Sequence, residues 1–193
     1  AVGQGAGYQY QHNNCIAIGN DSGTEQQGII SESKYEEYYK VGLIGMTGPV
    51  GSVRSVTPYS DHIFVGGVFQ KTDTITVNNI ANWNETETRH WTALGAGCIS
   101  AVYATCVVGD YLYVGGNITQ VGGTTTTYGV GKYNVIQNTW SSVSGLTSGA
   151  IVYTLCAYFS NIYVGGVFTG PGGIKNIAKY DTNSNTWSSI GNA

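Results

Sequence analysis

The side chains able to do chemistry are few and dispersed. His12, His62 and His90 stand in unrelated contexts, and Cys15, Cys98, Cys106 and Cys156 form no CxxC or Cys/His metal spacing. Glu36 and Glu37 are adjacent in a polar segment, whereas carboxylates that share acid–base work must face each other across a cleft. Gly131-Lys132 approaches a phosphate-binding loop, but Thr126 stands where that loop needs glycine and Tyr133 where it needs Ser or Thr. Gly3, Gly5 and Gly7 open no helix, so they do not form a dinucleotide fingerprint. The sequence thus predicts no catalytic residue, no metal ligand and no cofactor: a non-enzymatic chain.

The remaining candidates concern modification and contact. Asn20, Asn84 and Asn117 begin Asn-X-Ser/Thr triplets, which permit glycosylation without requiring it. Cys106 and Cys156 are 50 residues apart. Two readings of the cysteines stay open: buried thiols acting as small hydrophobes, or a disulfide, Cys98–Cys106 or Cys106–Cys156, since spacing does not fix connectivity.

The elements that must carry these residues are repeats. Ile63-Phe64-Val65-Gly66-Gly67 returns as Leu112-Tyr113-Val114-Gly115-Gly116 and as Ile162-Tyr163-Val164-Gly165-Gly166, at spacings of 49 and 50 residues. Each double glycine is followed by an aromatic and then a tryptophan: Trp83 and Trp91, Tyr133 and Trp140, Tyr180 and Trp187. Short runs rich in Val, Ile, Tyr and Thr between Gly, Asn and Ser clusters read as four strands per unit. The glycines allow positive φ or close backbone approach, and the tryptophans fill the gap between sheets. The units span about 54–100, 101–149 and 150–193. The loops after the glycines differ most, and loops on a rigid scaffold carry ligands. Lys71, Thr125 and Tyr128 are the candidate contacts there, for stacking on and hydrogen bonding to a glycan.

Residues 1–53 differ. In 1–31, Ala1-Val2-Gly3 matches Ala17-Ile18-Gly19 at a period of 16 residues, which suits a β-roll or solenoid with one repeat per turn. In 32–53, Ser33 and Glu36 have capping-box spacing, and Tyr35, Tyr38 and Tyr39 share one helical face, so this stretch reads as a short helical neck or a solvated connector. Glycine at 42, 45, 48 and 51 then gives four Gly-X-Y triplets, a collagen-like piece or a flexible glycine-rich linker. Residue 1 is already in phase with a repeat, and another strand could follow residue 191, so the expectation is an excerpt of a longer protein.

Composition narrows the class. Only 10% of residues are charged, against roughly 25% in average soluble domains. Tyr, Thr, Ser and Asn take their place, a surface suited to an extracellular or particle-surface protein. A net charge of −3 makes no electrostatic case for nucleic acid, and no apolar run reaches the roughly 18 residues of a membrane span.

On Gly115-Gly116, Tyr133, Trp140 and their counterparts, residues 54–191 resemble kelch-type β-propeller repeats. That resemblance implies four-stranded blades and no particular activity. Propellers have four to eight blades, and three units are visible here, so either the chain is an excerpt, or several chains complete a ring, or the units stack differently in an oligomer. The 16-residue repeats resemble the β-roll heads of trimeric autotransporter adhesins, and more closely the Ala-Ile-Gly repeats of giant DNA virus surface proteins. Together these imply an all-β, non-enzymatic segment of a trimeric fibre or spike, extracellular or on a virion, with a head for protein or glycan contact. The alternatives are a fragment of a soluble propeller scaffold and a fragment of an extracellular carbohydrate-active enzyme.

Overall fold

The computed structural model describes residues 48–72, 75–84 and 90–191. They form antiparallel β-structure with a single 3₁₀ turn, Pro171–Gly173. The expected β-roll (1–31) and the neck and connector as far as residue 47 lie outside the described residues. No helix among those described is long and apolar enough to cross a membrane.

Three sheets share one plan. The first is β1 (Pro49–Tyr59), β2 (His62–Thr72), β4 (Ile80–Asn84) and β5 (Trp91–Ala93) in that order, with β3 (Ile75–Thr76) added to β2. The second runs β6 (Val102–Val108), β7 (Tyr111–Gly116), β10 (Val130–Asn134), β11 (Thr139–Ser142). The third runs β12 (Ile151–Tyr158), β13 (Asn161–Thr169), β14 (Lys175–Asp181), β15 (Thr186–Ser188). The expected four strands per unit are present in each. Of the variable loops, the second carries a hairpin of β8 (Gln120–Val121) and β9 (Thr125–Thr126), and the third carries the 3₁₀ turn.

Register is the same in all three. Trp83 pairs with Trp91, Tyr133 with Trp140 and Tyr180 with Trp187. The ring centroids lie 5.4, 5.1 and 4.9 Å apart and tilt by 58°, 53° and 55°, within the range favoured by aromatic pairs. Two turn asparagines complete the pattern: Asn138 and Asn185, both at φ +56°, accept hydrogen bonds from the Tyr133 and Tyr180 hydroxyls at 2.8 Å. Asparagine tolerates this left-handed conformation better than most residues.

Each sheet is keyed onto the next through the double glycine. A Cβ on Gly66 would lie 2.5 Å from Val102, and one on Gly115 would lie 2.6 Å from Val152. Val102 and Val152, on the first strand of the following sheet, are both fully buried. On the second glycine of each pair, a Cβ would overlap the carbonyl oxygen of Ser52 in β1, of Ala101 just before β6 or of Ile151 in β12. None of these six glycines has positive φ. Of the two roles expected for them, close approach is therefore the operative one. The tryptophans tie in the same direction, since the Trp140 indole N–H donates to Leu94 O and that of Trp187 to Ser144 O, each at 2.7 Å. One core lies between the first and second sheets, around Phe64, Ile80 and Val102, and a second between the second and third, around Tyr113, Val130 and Val152.

One boundary is corrected. Residues 49–53, expected in the collagen-like connector, belong to β1, where Gly51 pairs with Phe69. At φ +147°, with a would-be Cβ overlapping Val68 O, Gly51 is needed by the sheet itself. Its place in the three-residue period has that cause instead.

Trp140→Ala removes the ring that bridges two sheets and its hydrogen bond. It should lower unfolding free energy by about 3 kcal/mol in urea titration, the low end for a tryptophan truncation because the ring is half-buried.

Candidate functional site

A cleft of about 320 Å³ opens between the first and second sheets, near the lower limit for small-molecule sites. Its polar wall comes from the first sheet: His62 opens β2, Asn82 and Asn84 lie on β4, and His90 and Thr92 lie at β5. Phe64 and Leu94 add apolar surface, and Tyr133, Val135 and Asn138 of the second sheet close the other side. Strand alternation places His62 and Phe64 on one face of β2 and Asn82 and Asn84 on one face of β4. The pairing of His62 with Asn84 and of Phe64 with Asn82 sets these faces side by side.

The centre of the wall is Asn82, 8% exposed. Its Nδ2 donates to Thr92 Oγ1 at 3.1 Å and lies 3.0 Å from His62 Nδ1. An Nδ1 that accepts from Asn82 leaves the His62 proton on Nε2, 3.6 Å from Asp61 Oδ1. Asp61 in turn accepts from Asn84 Nδ2 at 3.3 Å. Asn82 Oδ1 is buried and has no hydrogen-bond partner among the described residues. Turning the amide over would let the oxygen take both bonds and strand the nitrogen, so one polar edge is unsatisfied either way. Imidazole, amide and hydroxyl groups beside aromatic rings suit hydrogen bonding to a neutral, hydroxylated ligand. Among the described residues no three His, Cys, Asp or Glu side chains gather as a metal site would require.

The sequence-predicted contacts lie elsewhere. Lys71 is at the far end of β2 from His62, paired with Thr76, and Thr125 sits in the β8–β9 hairpin opposite Val121. Tyr128 is half-buried and packs against the second core. None of the three lines the cleft. His62 and Asn82 were missed as a pair because 20 residues separate them and only the register of β2 with β4 unites them.

Of the sequons, Asn117 is exposed. Asn84 is 7% exposed and its amide donates to Asp61, so in this fold its nitrogen is engaged within the cleft wall; Asn20 lies outside the described residues. Cys98, Cys106 and Cys156 are free thiols, which corrects the Cys106–Cys156 bridge. The two do occupy equivalent positions, opposite Tyr113 and Tyr163. Burial first, and the neighbouring Cys156 second, push the Cys106 thiol up to about 12. Burial also raises Cys98.

No family model matches the chain, and no curated protein matches it. Among solved structures it is similar to the computationally designed Ika4 protein, at 13% identity and a TM-score of 0.48, covering 74% of this chain and 73% of that one. It is also similar to the extracellular domain of a one-component system from B. thetaiotaomicron, at 14% identity and a TM-score of 0.49, covering 72% of this chain and 16% of that one.

At pH 8, a thiol titrating near 12 is roughly one part in ten thousand thiolate. Iodoacetamide should therefore label exposed Cys156 and spare Cys98 and Cys106 until the protein is unfolded, as read by peptide mass spectrometry. Labelling of Cys106 at the rate of Cys156 in the folded protein would contradict the burial assigned to it.

Proposed function

We propose that this chain is a non-enzymatic display and attachment module whose three sheets are kelch-like propeller blades. The cleft between the first two blades is its contact site for a glycan or a protein side chain. The observation that carries this reading is the buried, half-satisfied Asn82 amide beside His62 in a cleft walled by rigid strands. Such a site has its hydrogen-bonding groups fixed before a ligand arrives, which reduces the ordering cost of binding. The low charge and the abundance of Tyr, Thr, Ser and Asn support an extracellular or virion-surface setting. The 16-residue repeats and the first Gly-X-Y triplets support a trimeric stalk carrying this head.

Two measurements test the reading. A glycan array should give saturable binding that is lost in His62→Phe, a change that keeps a ring beside Phe64 but removes the imidazole nitrogens; Lys71→Ala should bind normally. Binding unchanged in His62→Phe would move the site away from the cleft. Light scattering on the full chain should give a mass near three times 20.4 kDa or a higher multiple; a monomer would remove the stalk from the proposal.

A further inference from the structure

The two sheet-to-sheet contacts inside the chain define a rule, and the outer faces of the first and third sheets carry the unfilled halves of a third contact. Val102 enters a socket floored by Gly66 and walled by Ile80, and Val152 enters the same socket at Gly115 and Val130. By register, the third socket is Gly165 and Ile177, because Ile177 pairs with Gly165 as Ile80 pairs with Gly66 and Val130 with Gly115. That socket is open. Among the described residues, a Cβ on Gly165 would meet only Thr154 of its own sheet, and Ile177 is 55% exposed where Ile80 and Val130 are fully buried.

The matching knob is at the other end of the array. Val53 pairs with Gly67 as Val102 pairs with Gly116 and Val152 with Gly166. Val53 is 46% exposed where its two counterparts are fully buried. A second row follows the same rule. Each first strand carries one residue in the register shift just after this valine: Arg54, Tyr103 and Tyr153. Arg54 lies over the Tyr103 ring at 5.2 Å, and Tyr103 stacks on Tyr153 at 5.7 Å. Tyr153 is 54% exposed, with a ring placed to receive another arginine.

We propose that the third sheet docks the first sheet of a second copy of this chain, head to tail, with Val53 in the Gly165–Ile177 socket and Arg54 over Tyr153. The occupant is argued from continuity: the face to be covered and the face that covers it are the next members of two contacts the chain already makes. A head-to-tail contact closes into a ring when its rotation divides the circle. Two copies would supply six sheets, within the four to eight found in propellers. This inference goes beyond the attachment reading and does not depend on the stalk.

The test is a disulfide that only two copies can form. Across the first internal contact, Ser55 Oγ and Thr105 Oγ1 are 2.6 Å apart. Their counterparts at the proposed contact, by register, are Thr154 of one copy and Val56 of the next. In a Cys156→Ala background of the full chain, Val56→Cys with Thr154→Cys should cross-link under mild oxidation, and mixing the two single variants should give a covalent dimer. Adding Ile177→Asp, a surface change that leaves the internal cores untouched, should abolish the cross-link with an unchanged far-UV spectrum. Adding Gly165→Ala should abolish it too, by filling the socket. Absence of any cross-link in the double variant overturns the proposal. So does a cross-link indifferent to Ile177→Asp and Gly165→Ala. A scattering mass of three times 20.4 kDa or more without the cross-link would leave the stalk standing and the head-to-tail contact refuted.

Discussion

The seating of a valine on a glycine organises the described structure. Val102 reaches the backbone of β2 because Gly66 has no Cβ, and Val152 reaches β7 because Gly115 has none. A methyl group at either glycine would force the sheets apart, and small overpacking in a close-packed interior typically costs 1–3 kcal/mol. The approach lets each sheet bury the face that it could not cover alone. One four-stranded sheet has two faces and too few residues to bury either, so the stable unit is the stack.

Polar contacts along the first strands fix how that stack is aligned. Thr105 Oγ1 lies 2.7 Å from Thr57 Oγ1 and 2.6 Å from Ser55 Oγ, and the Thr105 N–H donates to Ser55 Oγ at 2.9 Å. Thr105 is 8% exposed, so these bonds satisfy groups that burial would otherwise penalise. They also resist slippage of β6 along β1, because a shift of one residue would strand each hydroxyl. Between the second and third sheets the equivalent position is Leu155, in apolar contact beneath Gly115. The same backbone geometry thus carries a polar key at one contact and an apolar one at the next.

The cleft follows from this stacking. Where the first two sheets diverge, His62 and Asn82 face a gap closed by Tyr133 and Asn138 of the second sheet. The Tyr133 hydroxyl is held by Asn138, and the ring by Trp140, so the far wall is as fixed as the near one. The site is therefore built from strand residues, the residues flanking β5 and one tight turn, while the variable loops follow the far ends of β2, β7 and β13. That division explains why reasoning from loop variability led to Lys71, Thr125 and Tyr128 and passed over the cleft.

The sequence alone determined the number of units, their four strands, and which glycines and aromatics recur in each. These follow from local period and residue type, and a strand's alternation is written in its own residues. It also held the Asn138 and Asn185 turn signals, legible in hindsight as Asn-Thr-Trp at matching positions. Tertiary structure alone decided that Gly51 belongs to a strand, that Cys106 is buried while Cys156 is exposed, and that His62 meets Asn82. Each of these depends on which strand lies beside which, and on whether another sheet follows. Cys106 and Cys156 have the same register, and Val53 and Val102 have the same residue type; their burial differs because, among the described residues, one member of each pair has a neighbouring sheet and the other does not. Local pattern specifies the sheet, but only the packed array specifies what covers it.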